Sequence, residues 1–189
     1  IKEPDFEENY DEERYNLIVD HFNEFTSTLY DGGEDYTSMM DVEQFARFFF
    51  VNNYVLNCEL GHPKSCYLYR EDILSHESPY VFGPVWDFDW AYGYDGTSVY
   101  CQTGATADVL NRFGTQPGGQ FYRALYTQSD AVKRASYLLW KNFMEKYQQE
   151  VIEYVDDYFA FANSSFLHNA ERWGDGDDYE YNKENMKQW

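Results

Sequence analysis

The sequence predicts a helix-dominated α+β domain. Three observations carry that reading. Apolar residues recur at three- and four-residue steps through both ends of the chain. β-rich runs are confined to a short middle region between residues 67 and 86. At 189 residues the chain fits one domain, able to bury a core without disulfides.

The first predicted helix carries Tyr15, Ile18, Phe22, Phe25 and Leu29, and Asp31-Gly32-Gly33 stops it. A second starts at Asp41, an N-cap, with Gln44 three residues on as a capping-box partner. Val42, Phe45, Phe48 and Phe49 form its apolar stripe, which runs to about Leu56. Core packing is the expectation for these aromatics. The polar stretch from Asn57 to Cys66 follows as a loop, and loops on rigid elements often carry function. Tyr67-Leu68-Tyr69 reads as a strand, Arg70 to Pro79 as a hairpin connection, and Tyr80–Trp86 as the returning strand. Residues 94–119 read as irregular, broken at Pro117-Gly118-Gly119, with a helical turn near Asp108–Phe113. Beyond Gln120 the pattern is helical. Phe121, Leu125 and Tyr126 mark one helix. Asp130 caps the next, with Val132, Ala135, Leu139 and Phe143 on one face, and Val151, Val155, Phe159 and Phe166 mark a third.

The formal charge is −20, from 34 acids against 14 bases. That excludes non-specific nucleic-acid binding and docking on anionic lipid, both of which need a basic face. No run of 18 apolar residues offers a membrane span. Aromatics make up 21% of the chain, so phenol groups should reach the surface as well as fill the core. Cys58, Cys66 and Cys101 form no C-x-x-C and read as buried free thiols, with a Cys58–Cys66 bridge as the alternative. The four His lack an H-x-x-x-H pair, which argues against zinc. Asp175, Asp177 and Asp178 lie between glycines but lack the calcium-loop order, so a solvated acidic loop is expected there. Asn163-Ser164-Ser165 fits a glycosylation sequon on a helix.

The chemically loaded stretch is Tyr80–Gly93, YVFGPVWDFDWAYG. Asp87 and Asp89 sit among Trp86, Phe88, Trp90 and Tyr92, and acids are seldom left in so apolar a segment unless paired or holding a metal. Two residues apart on an extended chain, they point the same way and suit Mg²⁺ or Ca²⁺. Capping of backbone N–H groups or an Arg partner is the structural alternative. A glycoside hydrolase could also use two carboxyls, about 5 Å or about 6.5–9.5 Å apart, but nothing else in the sequence asks for one.

Asp41-Val42-Glu43-Gln44-Phe45, the loop NCELGHPKS, the strand CYLYR and then FGPVWDFDWAYG together resemble the CotH family of kinase-like proteins. The opening KEPD and the late Asn169–Trp173, N-A-E-R-W, resemble it too. The resemblance implies the C-terminal lobe of an atypical protein-kinase fold, with a small hairpin carrying W-D-F-D. It implies Asp87 as the Mg²⁺ ligand at the nucleotide phosphates, with Asp89 as second ligand. Glu59 would stand where the family's loop carries a catalytic or metal-binding Asp. Its extra methylene displaces the carboxylate by about 1.5 Å, a shift that can cost roughly a hundredfold in rate. Lys64 or Ser65 would fall where a kinase places its second-metal Asn, as nucleotide contacts. The nucleotide-clamping N-terminal half is expected to be a partner outside this chain, which alone would be inactive.

The implied activity is phosphoryl transfer from Mg-ATP to a protein substrate by a secreted bacterial protein. The alternative implied is an inactive kinase-like module on an extracellular, cellulosome-type carbohydrate-degrading assembly. There the acids would grip Ca²⁺ and exposed aromatics would stack on polysaccharide.

Overall fold

In the computed structural model, which describes residues 1, 4–92, 109–174 and 179–189, the described residues form seven α-helices and one two-stranded antiparallel sheet. Helix α1 (Glu12–Tyr30) starts at an Asp11 side chain that accepts from the Arg14 N–H. Helix α2 (Val42–Tyr54) starts at Asp41, whose carboxylate accepts from the Gln44 N–H at 2.9 Å. The expected capping box is half formed. The Gln44 side chain turns to the sheet instead, accepting from Phe82 N–H and donating to Phe82 C=O. One glutamine thus completes the backbone pairing of the inner strand.

Strands β1 (Leu68–Tyr69) and β2 (Val81–Phe82) pair Leu68 with Phe82 and Tyr69 with Val81. The returning strand is far shorter than the Tyr80–Trp86 expected. A cis Gly83–Pro84 peptide follows Phe82, and Trp86–Asp89 lie in the loop beyond the sheet rather than on it.

Helix α3 (Val109–Phe113) falls where a helical turn was expected. Helix α4 (Pro117–Thr127) takes Pro117, Gly118 and Gly119 into its first turn, so the breaker reading fails there. Proline at the first helical position has no N–H to lose. Helix α5 (Asp130–Lys146) is capped by Ser129, not Asp130; its hydroxyl accepts from Ala131 and Val132 N–H. Helices α6 (Gln148–Trp173) and α7 (Tyr179–Gln188) complete the chain. Asp175, Asp177, Asp178 and Cys101 lie outside the described residues, as do Gly93 and residues 94–108 of the segment read as irregular.

The core is aromatic, as expected. Phe25, Tyr36, Phe45, Phe48 and Phe82 are sealed from solvent, and Phe82 packs edge-on to Phe45 at 4.8 Å between centroids. Tyr15 and Phe22 depart from that expectation and lie partly exposed along α1. Tyr36 donates its buried hydroxyl to Leu125 C=O at 2.6 Å, tying α4 to the turn after α1, and burial pushes that phenol up to about 12. Helix α2 packs against α5 through Phe50 and Tyr54 on Phe143, with centroids 5.1 and 5.0 Å apart. Helix α6 buries none of its residues fully, so Val151, Val155, Phe159 and Phe166 are half-covered rather than core. Among the described residues no helix is long and apolar enough to cross a membrane.

Candidate active site

Two loops converge beside the sheet. The first leaves α2 through Leu56, whose positive φ of 47° turns the chain into a short 3₁₀ turn, Cys58–Leu60. Asn57 is almost wholly buried and anchors this turn. Its Nδ2 donates to Asn52 Oδ1 at 2.9 Å, and its Oδ1 accepts from the Glu59 N–H at 3.1 Å. Asn52 in turn donates to Phe48 C=O at 2.8 Å. This amide relay, buried where unmet hydrogen bonds are costly, fixes where Glu59 begins.

The second loop leaves β2. Trp86 donates its indole N–H to Ser65 C=O at 2.7 Å and lies against Tyr67 at 5.8 Å between centroids. Ser65 Oγ donates to Asp87 Oδ2 at 2.7 Å. Asp87 has a φ of 63°, in the left-handed region that Asp and Asn tolerate better than most residues. The extended-chain reason for pairing the acids therefore does not hold. A turn brings them together instead, and Asp89 shares a hydrogen bond with Asp87. Two backbone bonds staple the loops to each other: Cys58 N–H to Trp90 C=O at 3.0 Å, and Tyr92 N–H to Val55 C=O at 2.6 Å.

The acids feel one another. The hydrogen bond with Asp87 raises the Asp89 carboxyl above its ordinary value, and slight desolvation and repulsion from Asp87 and Glu59 add to it. Burial pushes the Cys66 thiol up to about 11, with the fields of Glu59 and Asp87 adding. Cys66 and Cys58 are both free thiols, so the sequence's alternative of a bridge between them is not formed. Glu59 is half-buried, and its Oε2 is sealed from solvent without a hydrogen-bond partner. A carboxylate oxygen in that condition is short of positive charge. So are two carboxyls close enough to hydrogen-bond to each other. Asp87 and Asp89 offer the oxygen donors that a hard cation of the Mg²⁺ class takes. Glu59 acts on Asp89 through its charge, but among the described residues its carboxylate does not gather with theirs within the 4.8 Å span of a three-ligand metal group.

Of the residues the sequence singled out, Glu59, Ser65, Asp87 and Asp89 come together. Lys64 does not join them: its side chain is exposed and makes no ion pair with Glu59. Sequence reasoning missed Asn52 and Asn57, the buried amides behind the site. It also missed Gly118, which sits so close to the first loop that an added Cβ would lie 2.2 Å from Leu60 C=O. The Gly118 N–H donates to Gly61 C=O at 3.2 Å, docking α4 on this loop.

Compared with known protein families, residues 1–189 match the family described as CotH kinase protein. The chain belongs to the CotH family. The match spans its whole length, so the helices, the sheet and both loops all lie within the family's domain. No curated protein and no solved structure gave a match.

Cation affinity at this CotH site should depend on pH with a definite sign. Because the Asp89 pKa is raised, its proton persists to higher pH than on an ordinary carboxyl. A bound cation must displace it, so affinity falls as pH falls through the raised value, and binding releases a proton there. Titrating Mn²⁺ as the pH is lowered through the whole range in which carboxyls titrate, with proton release followed by indicator dye, checks this. An affinity flat across that range contradicts it.

Proposed function

We propose that this chain is the metal-binding lobe of a CotH kinase-like phosphotransferase that moves a phosphoryl group from Mg-ATP to a protein hydroxyl. The observation that supports it is the convergence of Glu59, Asp87 and Asp89 from two stapled loops in a chain of the CotH family. Asp87 and Asp89 would hold Mg²⁺, which when bound supplies the positive charge that nucleotide phosphates need.

The rest is done by the protein's own groups. Ser65 holds one oxygen of Asp87, leaving its remaining lone pairs for the cation. Asn57 holds the Glu59 backbone, and the Glu59 carboxylate takes the proton from the acceptor hydroxyl. Lys64, exposed on the same loop, is free to reach a phosphate. The acceptor is an extracellular protein in this reading, in keeping with a net charge of −20.

A second reading draws on Trp86 and Trp90, about half exposed on either side of the two acids. Flat aromatic faces suit sugar stacking. In this reading the domain is a calcium-holding module of a carbohydrate-degrading assembly. Incubation of this chain together with the implied nucleotide-clamping lobe, Mg²⁺ and ATP labelled in its γ-phosphate, alongside an Asp87→Asn variant, separates the two. Asp87-dependent transfer of label to protein supports the kinase-like reading. Binding to a plant polysaccharide without any transfer supports the other.

A further inference from the structure

A second cluster lies beside Tyr80, where α1 meets the connection between β1 and β2. His21 and Glu24 are three residues apart on α1 and so share one face of the helix. His76 comes from the β1–β2 connection, 55 positions further along the chain than His21. One ligand atom from each of the three lies within 4.8 Å of the others.

We propose that His21, Glu24 and His76 form a binding site for a first-row transition ion of the Zn²⁺ class, separate from the acid site. The ligand set is two imidazoles and a carboxylate, which with one water completes a tetrahedral zinc shell. Imidazole favours such ions over Mg²⁺ or Ca²⁺, which prefer all-oxygen sets.

An independent observation points to a ligand here. His21 is only 5% exposed, and its Nε2 is sealed from solvent with no hydrogen-bond partner. Buried ring nitrogens ordinarily find a partner. The other nitrogen, Nδ1, lies 3.3 Å from the Tyr80 hydroxyl. That contact orients the ring and leaves Nε2 as the ligand atom, as outer partners do in metal-bound histidines. The His21 and His76 rings lie 5.4 Å apart between centroids, inclined by 33°.

The scaffold behind His76 is also fixed. Arg70, at the end of β1, donates to Ser75 C=O and to Ser78 C=O at 2.8 Å, clamping the connection on both sides of His76. The Arg70 charge reaches His21 and opposes a cation, while the Glu24 carboxylate acts on the same ring in the other sense. Ligand atoms around tetrahedral zinc stand about 3.4 Å apart, given bonds of about 2.0–2.1 Å. Glu24 and His76 are both exposed, so their side chains can draw inward that far.

Co²⁺ titration followed by visible absorption tests the site, since cobalt in such a nitrogen–oxygen shell is coloured and Zn²⁺ displaces it. The full chain carrying Asp87→Asn is the background, so the acid site does not contribute. One Co²⁺ per chain with a visible band is expected, bleached by Zn²⁺. His76→Ala, at an exposed position that leaves the fold intact, should weaken binding by at least about tenfold. Glu24→Gln should weaken it and shift the band. Absence of a band in the background protein, or a band and affinity unchanged by His76→Ala, overturns the proposal.

Discussion

Asp87→Asn lowers Mn²⁺ affinity at the acid site by about a hundredfold or more, since removing even an outer partner of a metal ligand costs about 10–100-fold. Asparagine is the informative replacement. Asp87 sits at a φ of 63°, and Asn is the other side chain that accepts that region with little strain. It also keeps a carbonyl oxygen for the Ser65 hydroxyl, which donates to Asp87 at 2.7 Å. Only the charge is lost. Asp87 is exposed, and surface substitutions of this kind usually stay within about 0.5 kcal/mol, so the melting temperature should barely move. Calorimetric titration of Mn²⁺ and a thermal melt on the same sample check both halves. Unchanged affinity would place the cation elsewhere.

Gly118→Ala is the largest expected change in stability. Its new methyl would meet Leu60 C=O at 2.2 Å, Pro63 Cδ at 2.6 Å and Gly61 C=O at 2.9 Å. Two of the three are backbone atoms, which cannot rotate away as a flexible side chain can. Overpacking typically costs about 1–3 kcal/mol, and this crowding belongs at the upper end. For a chain of this size that corresponds to a melting temperature lower by about 6–12 °C. The first loop must also lift from α4 to make room. Ser65, which holds Asp87, lies further along that loop, so cation affinity should fall as well, although Gly118 touches no ligand. A melt within a degree of the parent would show that the two elements are not in the contact described.

What the sequence made legible was whatever depends on neighbours along the chain. The 3.6-residue spacing of Phe25 and Leu29, and of Phe45, Phe48 and Phe49, placed α1 and α2 and their buried faces. Asp41 announced a helix start, because an N-cap acts within three residues. The dense chemistry of Trp86–Trp90 marked one side of the site, and the NCEL loop marked the other.

What stayed hidden depends on contacts across the fold. Gln44 had a local role to play and took a distant one, since a strand edge with unmet backbone groups outcompeted a capping box. Pro117-Gly118-Gly119 has the composition of a loop. Proline is welcome at a helix start, however, and Gly118 serves close packing against Leu60 rather than a turn. The pairing of Asn52 with Asn57 and the meeting of His21 with His76 leave no periodic trace, because each follows from how the chain returns on itself. Asp87 and Asp89 do meet, but through a left-handed residue at Asp87 and not through the alternation of a strand.

The most direct test is calorimetric titration of ATP, with and without Mg²⁺, into this chain together with the nucleotide-clamping lobe that the family resemblance implies, repeated on Asp87→Asn. Nucleotide binding that needs Mg²⁺ and disappears with the Asp87 charge is the predicted result, and it would make Glu59, Asp87 and Asp89 a nucleotide–metal site. ATP binding indifferent to both Mg²⁺ and Asp87, or cation binding that never recruits nucleotide, would contradict the account.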